Sequence, residues 1–103
     1  MERIKRYTSG GGHPHIITKD NGKITHSIGM TSSSTRGHHK NIKLSKNPDP
    51  KSKEPSYIHD YLTEDYSKNY KVDKKYKNWK ISPKDENKIK KIAAKKPQSR
   101  IKK

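Results

Sequence analysis

Apolar side chains along this chain come in short alternating runs between long polar stretches, and a period of two predicts strands for most of its length. The clearest run spans residues 24–30, where Ile24, His26, Ile28 and Met30 alternate with Thr25, Ser27 and Gly29 and would share one strand face. It is preceded by the β-branched run at 16–18, and Asn21-Gly22 lies between the two. An Asn-Gly pair in that setting signals a β-hairpin with a type I′ turn, since both residues tolerate positive φ. A shorter strand is expected over 3–8, with Ile4 and Arg6 on one face and Lys5 and Tyr7 on the other, ending at a flexible connection, Gly10-Gly11-Gly12. Ile42 and Leu44 predict a third strand over 41–44, stopped by Asn47-Pro48-Asp49-Pro50. The Y-I-H-D-Y-L run at 57–62 fits either a strand or a helical turn.

The period changes to helical near the end. Ser82-Pro83-Lys84-Asp85 offers an N-cap hydroxyl, a proline at the first position and an acid at the third, and Ile89, Ile92 and Ala93 recur on one face. A helix over about 82–96 follows, ending at Lys96-Pro97, with Lys90, Lys91, Lys95 and Lys96 favoured by its dipole. Residues 98–103 read as a frayed basic tail. The expected fold is mainly β with a C-terminal helix (α+β), in one domain over 1–97.

Composition makes the core thin. The 103 residues hold 11 Ile, two Leu, one Val and no Phe at a net charge of +16, within the range of disordered chains. Six Tyr and one Trp oppose this, because aromatic side chains bury large areas when their polar atoms find partners. A small aromatic-supported β-domain with loose ends reconciles the two.

The charge is uneven. Residues 1–67 carry a net +4 and residues 68–103 a net +12. A dense cationic segment attracts polyanions, so nucleic acid is the first candidate partner. An acidic membrane surface is the weaker alternative, as no apolar run approaches the roughly 18–20 residues of a span. The 22 Lys against four Arg are also what AT-rich coding produces. Without cysteine, neither disulfides nor a thiolate zinc site is available. The charged start lacks an apolar signal segment, and a cytoplasmic location is expected.

Six histidines carry the candidate chemistry: His13, His15, His26, His38, His39 and His59. His13 and His15 lack the further ligands a zinc site needs, so no metal or cofactor is expected. Cleavage of RNA by its own 2′-OH needs a base, an acid and a cation beside the phosphate, and imidazole titrates near neutral pH. His13, His15, His26, Thr31 and Lys40 would supply such a set if the hairpin folds over, while the plain alternative for each histidine is an ordinary polar side chain. Tyr66, Tyr70, Tyr76 and Trp79 interleave with Lys68, Lys71, Lys74, Lys75, Lys77 and Lys80. That pattern suits single-stranded nucleic acid, bases stacking on rings and ammonium groups meeting phosphates. The competing use of the rings is as core, favoured for Trp79 and Tyr57.

An N-terminal strand, a glycine-bearing loop into H-P-H-I-I-T at 13–18, a second run ending M-T-S-S at 30–33, a polar loop and N-I-K-L at 41–44 together resemble the MazF/PemK ribonuclease toxins over residues 12–44. The resemblance implies a small SH3-like β-barrel, often dimeric, that cleaves RNA without a metal and is held by an acidic antitoxin partner. It places the catalytic groups at His13 and Thr31, with Ser32 beside them. The family's basic residue before the proline is normally Arg; here His13 exchanges a permanent cation for a titratable group. Arg36, Lys40 and Lys43 join the lysines of 68–80 as nucleic-acid contacts. Two other readings stand beside it: a non-catalytic basic nucleic-acid-binding protein of a phage, mobile element or ribosome, and an inhibitor gripping a nucleoprotein complex.

Overall fold

The computed structural model describes residues 3–9, 11–36 and 39–101, the side chains of Arg36 and His39 excepted. Along the chain run β1 (Ile4–Tyr7), β2 (Pro14–Asp20), β3 (Ile24–Thr31), β4 (Thr35–Arg36), β5 (His39–Lys40), β6 (Ile42–Lys43), β7 (Tyr57–Ile58), β8 (Thr63–Tyr66), β9 (Tyr70–Lys71), α1 (Pro83–Ala93) and β10 (Gln98–Ser99).

The alternating run forms the central strand, β3. It pairs antiparallel with β2, Ile16 opposite Ile28, as the pattern predicts. The turn differs in detail. Gly22 alone has positive φ, at 87°, and the Asn21 N–H donates to the Ile24 carbonyl, so the central pair is Gly22-Lys23 and the glycine sits first, as in a type II′ turn. Asn21 contributes its side chain instead: Oδ1 accepts from the Lys23 and Ile24 N–H groups at 2.9 and 2.8 Å. The glycine run before β2 is a second tight turn rather than a linker. Gly11 and Gly12 take φ of 95° and 76°, and Tyr7 N–H to His13 carbonyl closes the β1–β2 pair; Gly10 lies outside the described residues.

On its other edge β3 is shared, Ile24–Ser27 pairing with β8 and Met30–Thr31 with β7. The main path runs β10-β8-β3-β2-β1-β9, with β7 branching from β3 and β6 pairing with β7, while β4 and β5 form a separate two-stranded sheet. Among the described residues β9 and β10 do not pair with each other, so the expected SH3-like barrel is not closed. The fold is an antiparallel sheet with one C-terminal helix, and among the described residues the one parallel pairing is β10 on β8. The frayed tail expected from the sequence is therefore strand at Gln98–Ser99; Lys102 and Lys103 lie outside the described residues.

Alternation gives the sheet two unlike faces. Ile4, Ile16, Ile28 and Met30 pack with Leu44, Ile58, Leu62 and Tyr76 against Ile89 and Ile92 of α1. Behind them Tyr7, Ile17 and Tyr70 form a second, smaller cluster among buried His15, Thr25, Ser27, Thr63 and Asp65. Tyr7, Tyr61, Tyr70 and Tyr76 are all buried, and the radius of gyration is 12.8 Å against about 13 Å for a folded domain of this length. Aromatic rings thus supply the missing bulk, and the disorder suggested by composition does not apply to this compact region.

The helix starts where the capping residues place it, Ser82 accepting from the Asp85 N–H. The Asp85 carboxylate is fully buried and accepts from Ser45 N–H at 2.8 Å and the Ser82 hydroxyl at 2.9 Å, with Lys88 Nζ at 3.3 Å. Burial pushes this carboxyl up, but those donors outweigh it and hold it below the ordinary value. The helix ends at Ala93, earlier than Lys96. There the chain turns back, Lys95 Nζ donating to the Asp60 carbonyl, and lays β10 beside β8.

Candidate functional site

Register places three histidines in one corner. His15 on β2 lies opposite Gly29 on β3, and His13, one residue before β2, lines one cavity with Thr31. From the other side β7 pairs Ile58 with Met30, and the His59 N–H donates to the Gly29 carbonyl, so His59 flanks Gly29 too. The result is a row His15–Gly29–His59 across three chain segments, with His13 and Thr31 beside it on the same cavity.

Gly29 is what allows this row. A Cβ there would come within 2.5 Å of the His59 ring and 3.2 Å of His15 Nε2, so the two imidazoles occupy the space a side chain would fill. Their ring centroids are 6.4 Å apart, edge to face, and His59 stacks on Tyr61 at 4.8 Å. Both are buried, whereas His13 is exposed. A glycine inside an alternating strand is the sequence signal of such a close approach.

A polar web holds the floor. His15 Nδ1 and the Tyr70 hydroxyl each share a 2.8 Å hydrogen bond with Ser27 Oγ. The Tyr7 ring lies 4.5 Å from His15 and 4.9 Å from Tyr70, and its hydroxyl donates to Asp65. Burial, then the hydrogen bond and charge of Asp65, push the Tyr7 phenol up to about 12, with Ser9 and Arg100 pulling the other way. Burial likewise raises Tyr70, against the Ser27 bond and Arg100. Both phenols are kept neutral, Tyr7 as the donor to Asp65.

Above this floor opens a cavity of about 250 Å³, lined by His13, His15, His59, Thr31, Tyr61 and Arg100 among others. A second, of about 210 Å³, shares His13, Met30 and Thr31 with it and extends past Ser32 to Trp79. Imidazoles, hydroxyls and one guanidinium around an open cavity can bind an anion and move protons on it. Among the described residues no group of three or more His, Asp or Glu is placed to hold a metal ion.

His13 and Thr31 are thus brought together, with Ser32 on the neighbouring wall, and His15 joins them. His26 is not: it pairs with Glu64 at 2.9 Å. Lys40 and Lys43 are exposed on β5 and β6 and line neither cavity; the Arg36 side chain and all of His38 lie outside the described residues. Lys68, Lys71, Lys74, Lys75, Lys77 and Lys80 are all exposed, outside both cavities. Of the rings between them, Tyr70 and Tyr76 are buried, Trp79 packs on the core, and Tyr66 is exposed with Lys68 Nζ 5.4 Å from its centroid. In the sequence His59 looks like an ordinary polar side chain and Arg100 like part of the basic tail. Neither has a local signature, because each arrives by pairing with a distant strand.

The chain matches no family model, no curated protein and no solved structure. Among the described residues no helix is long and apolar enough to cross a membrane.

Proposed function

We propose that this protein acts on single-stranded RNA, as a metal-independent endoribonuclease of the MazF/PemK kind on a small SH3-like β-fold. The observation that carries the reading is the convergence of His13, His15, His59 and Thr31 on one open cavity from three separate chain segments. Two imidazoles suit the reaction: one takes the proton of the attacking 2′-OH while the P–O5′ bond breaks, and the other gives a proton to the leaving 5′-oxygen. The products are a 2′,3′-cyclic phosphate and a 5′-hydroxyl. The Thr31 hydroxyl donates to a non-bridging oxygen. The net charge of +16 draws the polyanion in and suits an acidic antitoxin equally. A cytoplasmic location and a homodimer belong to the same reading.

Purified protein incubated with single-stranded RNA should cut it and leave DNA of the same sequence intact, since DNA lacks the attacking hydroxyl. His13→Ala and Thr31→Ala should each slow cleavage by about 10²–10⁴-fold. RNA left whole by the wild type would end the catalytic reading. The six exposed lysines of 68–80 favour a second one, a non-catalytic nucleic-acid-binding protein. It expects affinity that falls steeply with salt and survives both substitutions.

A further inference from the structure

The cavity's imidazoles are titratable, yet a phosphodiester passing through a doubly charged transition state calls for a permanent cation beside it. At position 13, where the resemblance places an arginine, the chain has histidine. Among the described residues that line the cavity, Arg100 alone carries a permanent positive charge.

We infer that Arg100 is the phosphate-binding cation of this site, delivered by the C-terminal strand, so that the site is complete only with β10 docked on β8. This rests on the RNA-directed reading above. The strand register supports it. Gln98 pairs with Thr63 and Ser99 with Glu64, and flanking bonds from Gln98 N–H to the Leu62 carbonyl and from Arg100 N–H to the Glu64 carbonyl, both 2.7 Å, lock the frame. Alternation then turns Gln98 and Arg100 to the side of Thr63, which itself lines the cavity. A slip of one residue would send the guanidinium to the opposite face.

The charge also reaches the floor. Arg100 lies close enough to draw down the phenols of Tyr7 and Tyr70, as the smallest influence on each. Asp65 does not need it: that carboxylate accepts from Tyr7, from Asn69 at 3.1 Å and from the Tyr66 N–H at 2.7 Å. Among the described residues no ion pair engages Arg100. Its planar fork is left to face a ligand, and two parallel N–H donors match two phosphate oxygens as an ammonium cannot. Because β10 is a two-residue exposed edge strand, its docking is among the weaker contacts of the fold, and bound RNA would hold it down.

The test compares wild type with Arg100→Ala, Arg100→Lys, a chain ending at Pro97, and Lys84→Ala on the helix as a control for one lost charge. Rates are read on single-stranded RNA and affinities on the same RNA made uncleavable by 2′-O-methylation. Arg100→Ala and the shortened chain should lose about 10²–10³-fold in rate, Arg100→Lys should recover part of it, and Lys84→Ala should stay near wild type. On the uncleavable RNA, Arg100→Ala should lower the slope of log affinity against log salt by about one contact. Thermal unfolding checks that Arg100→Ala keeps the fold. Arg100→Ala within threefold of a cleaving wild type, with an unchanged salt slope, overturns the inference while the RNA reading stands. A wild type that binds but does not cut leaves the salt slope to decide. A wild type that does neither removes the RNA reading, and this inference with it.

Discussion

The two faces of β3 are made from the same eight residues and do opposite work. One carries Ile28 and Met30 into the apolar core under α1; the other carries Thr25, Ser27 and Gly29 under buried tyrosines and histidines. Both are covered, although an alternating strand in an antiparallel sheet commonly leaves its polar face in water. The apolar face is held by area removed from water, which tolerates swaps of similar volume. The polar face is held by hydrogen bonds in register, where each group fixes the next and a single missing partner is costly. Shape tolerance on one side and exact partnering on the other is a reasonable division for a small domain whose cavity opens on the polar side.

Three measurements would break or sharpen this contrast. Ile28→Ala should have the largest effect, lowering unfolding stability by about 2–5 kcal/mol in denaturant titration. Ile28→Val should cost much less, and equal losses for both would show that packing volume does not govern that face. Gly29→Ala comes next, at about 1–3 kcal/mol, because its methyl must displace the His59 ring. Here the diagnostic is local: the imidazole proton resonances of His15 and His59 should move while those of His26 stay. If they do not, the row described above is not the native arrangement.

The smallest effect is a pH dependence. The Tyr7 phenol is pushed up to about 12 from an ordinary 10.0, so the unfolded chain loses its proton first. Its stabilising contribution is therefore whole below pH 10 and is lost as pH rises through about 12. Tyr7→Phe should flatten that part of the stability curve, measured by unfolding at pH 9 and pH 11. An unchanged slope would mean that Tyr7 is not the buried donor to Asp65.

The local rules could be read directly from the chain. Ser82 and Pro83 started the helix where capping chemistry required, the alternation of 24–30 gave a strand, and Gly22 took the turn's positive φ. These are decided within a few residues, by backbone sterics and side-chain hydrogen bonds. The candidate site was half legible: His13 and Thr31 stood out by motif, whereas His59 looked ordinary and Arg100 looked like tail.

What the sequence alone determined, then, is a β-rich, strongly cationic chain with one capped helix and tyrosines in place of leucines. Only the tertiary structure decided that the sheet stays open, that β3 is shared between β7 and β8, and that β10 returns to β8 in parallel. Register between segments tens of residues apart depends on which faces bury together across the whole molecule, a balance no local pattern encodes. That balance put His59 beside His15 over a glycine and brought Arg100 to the same cavity.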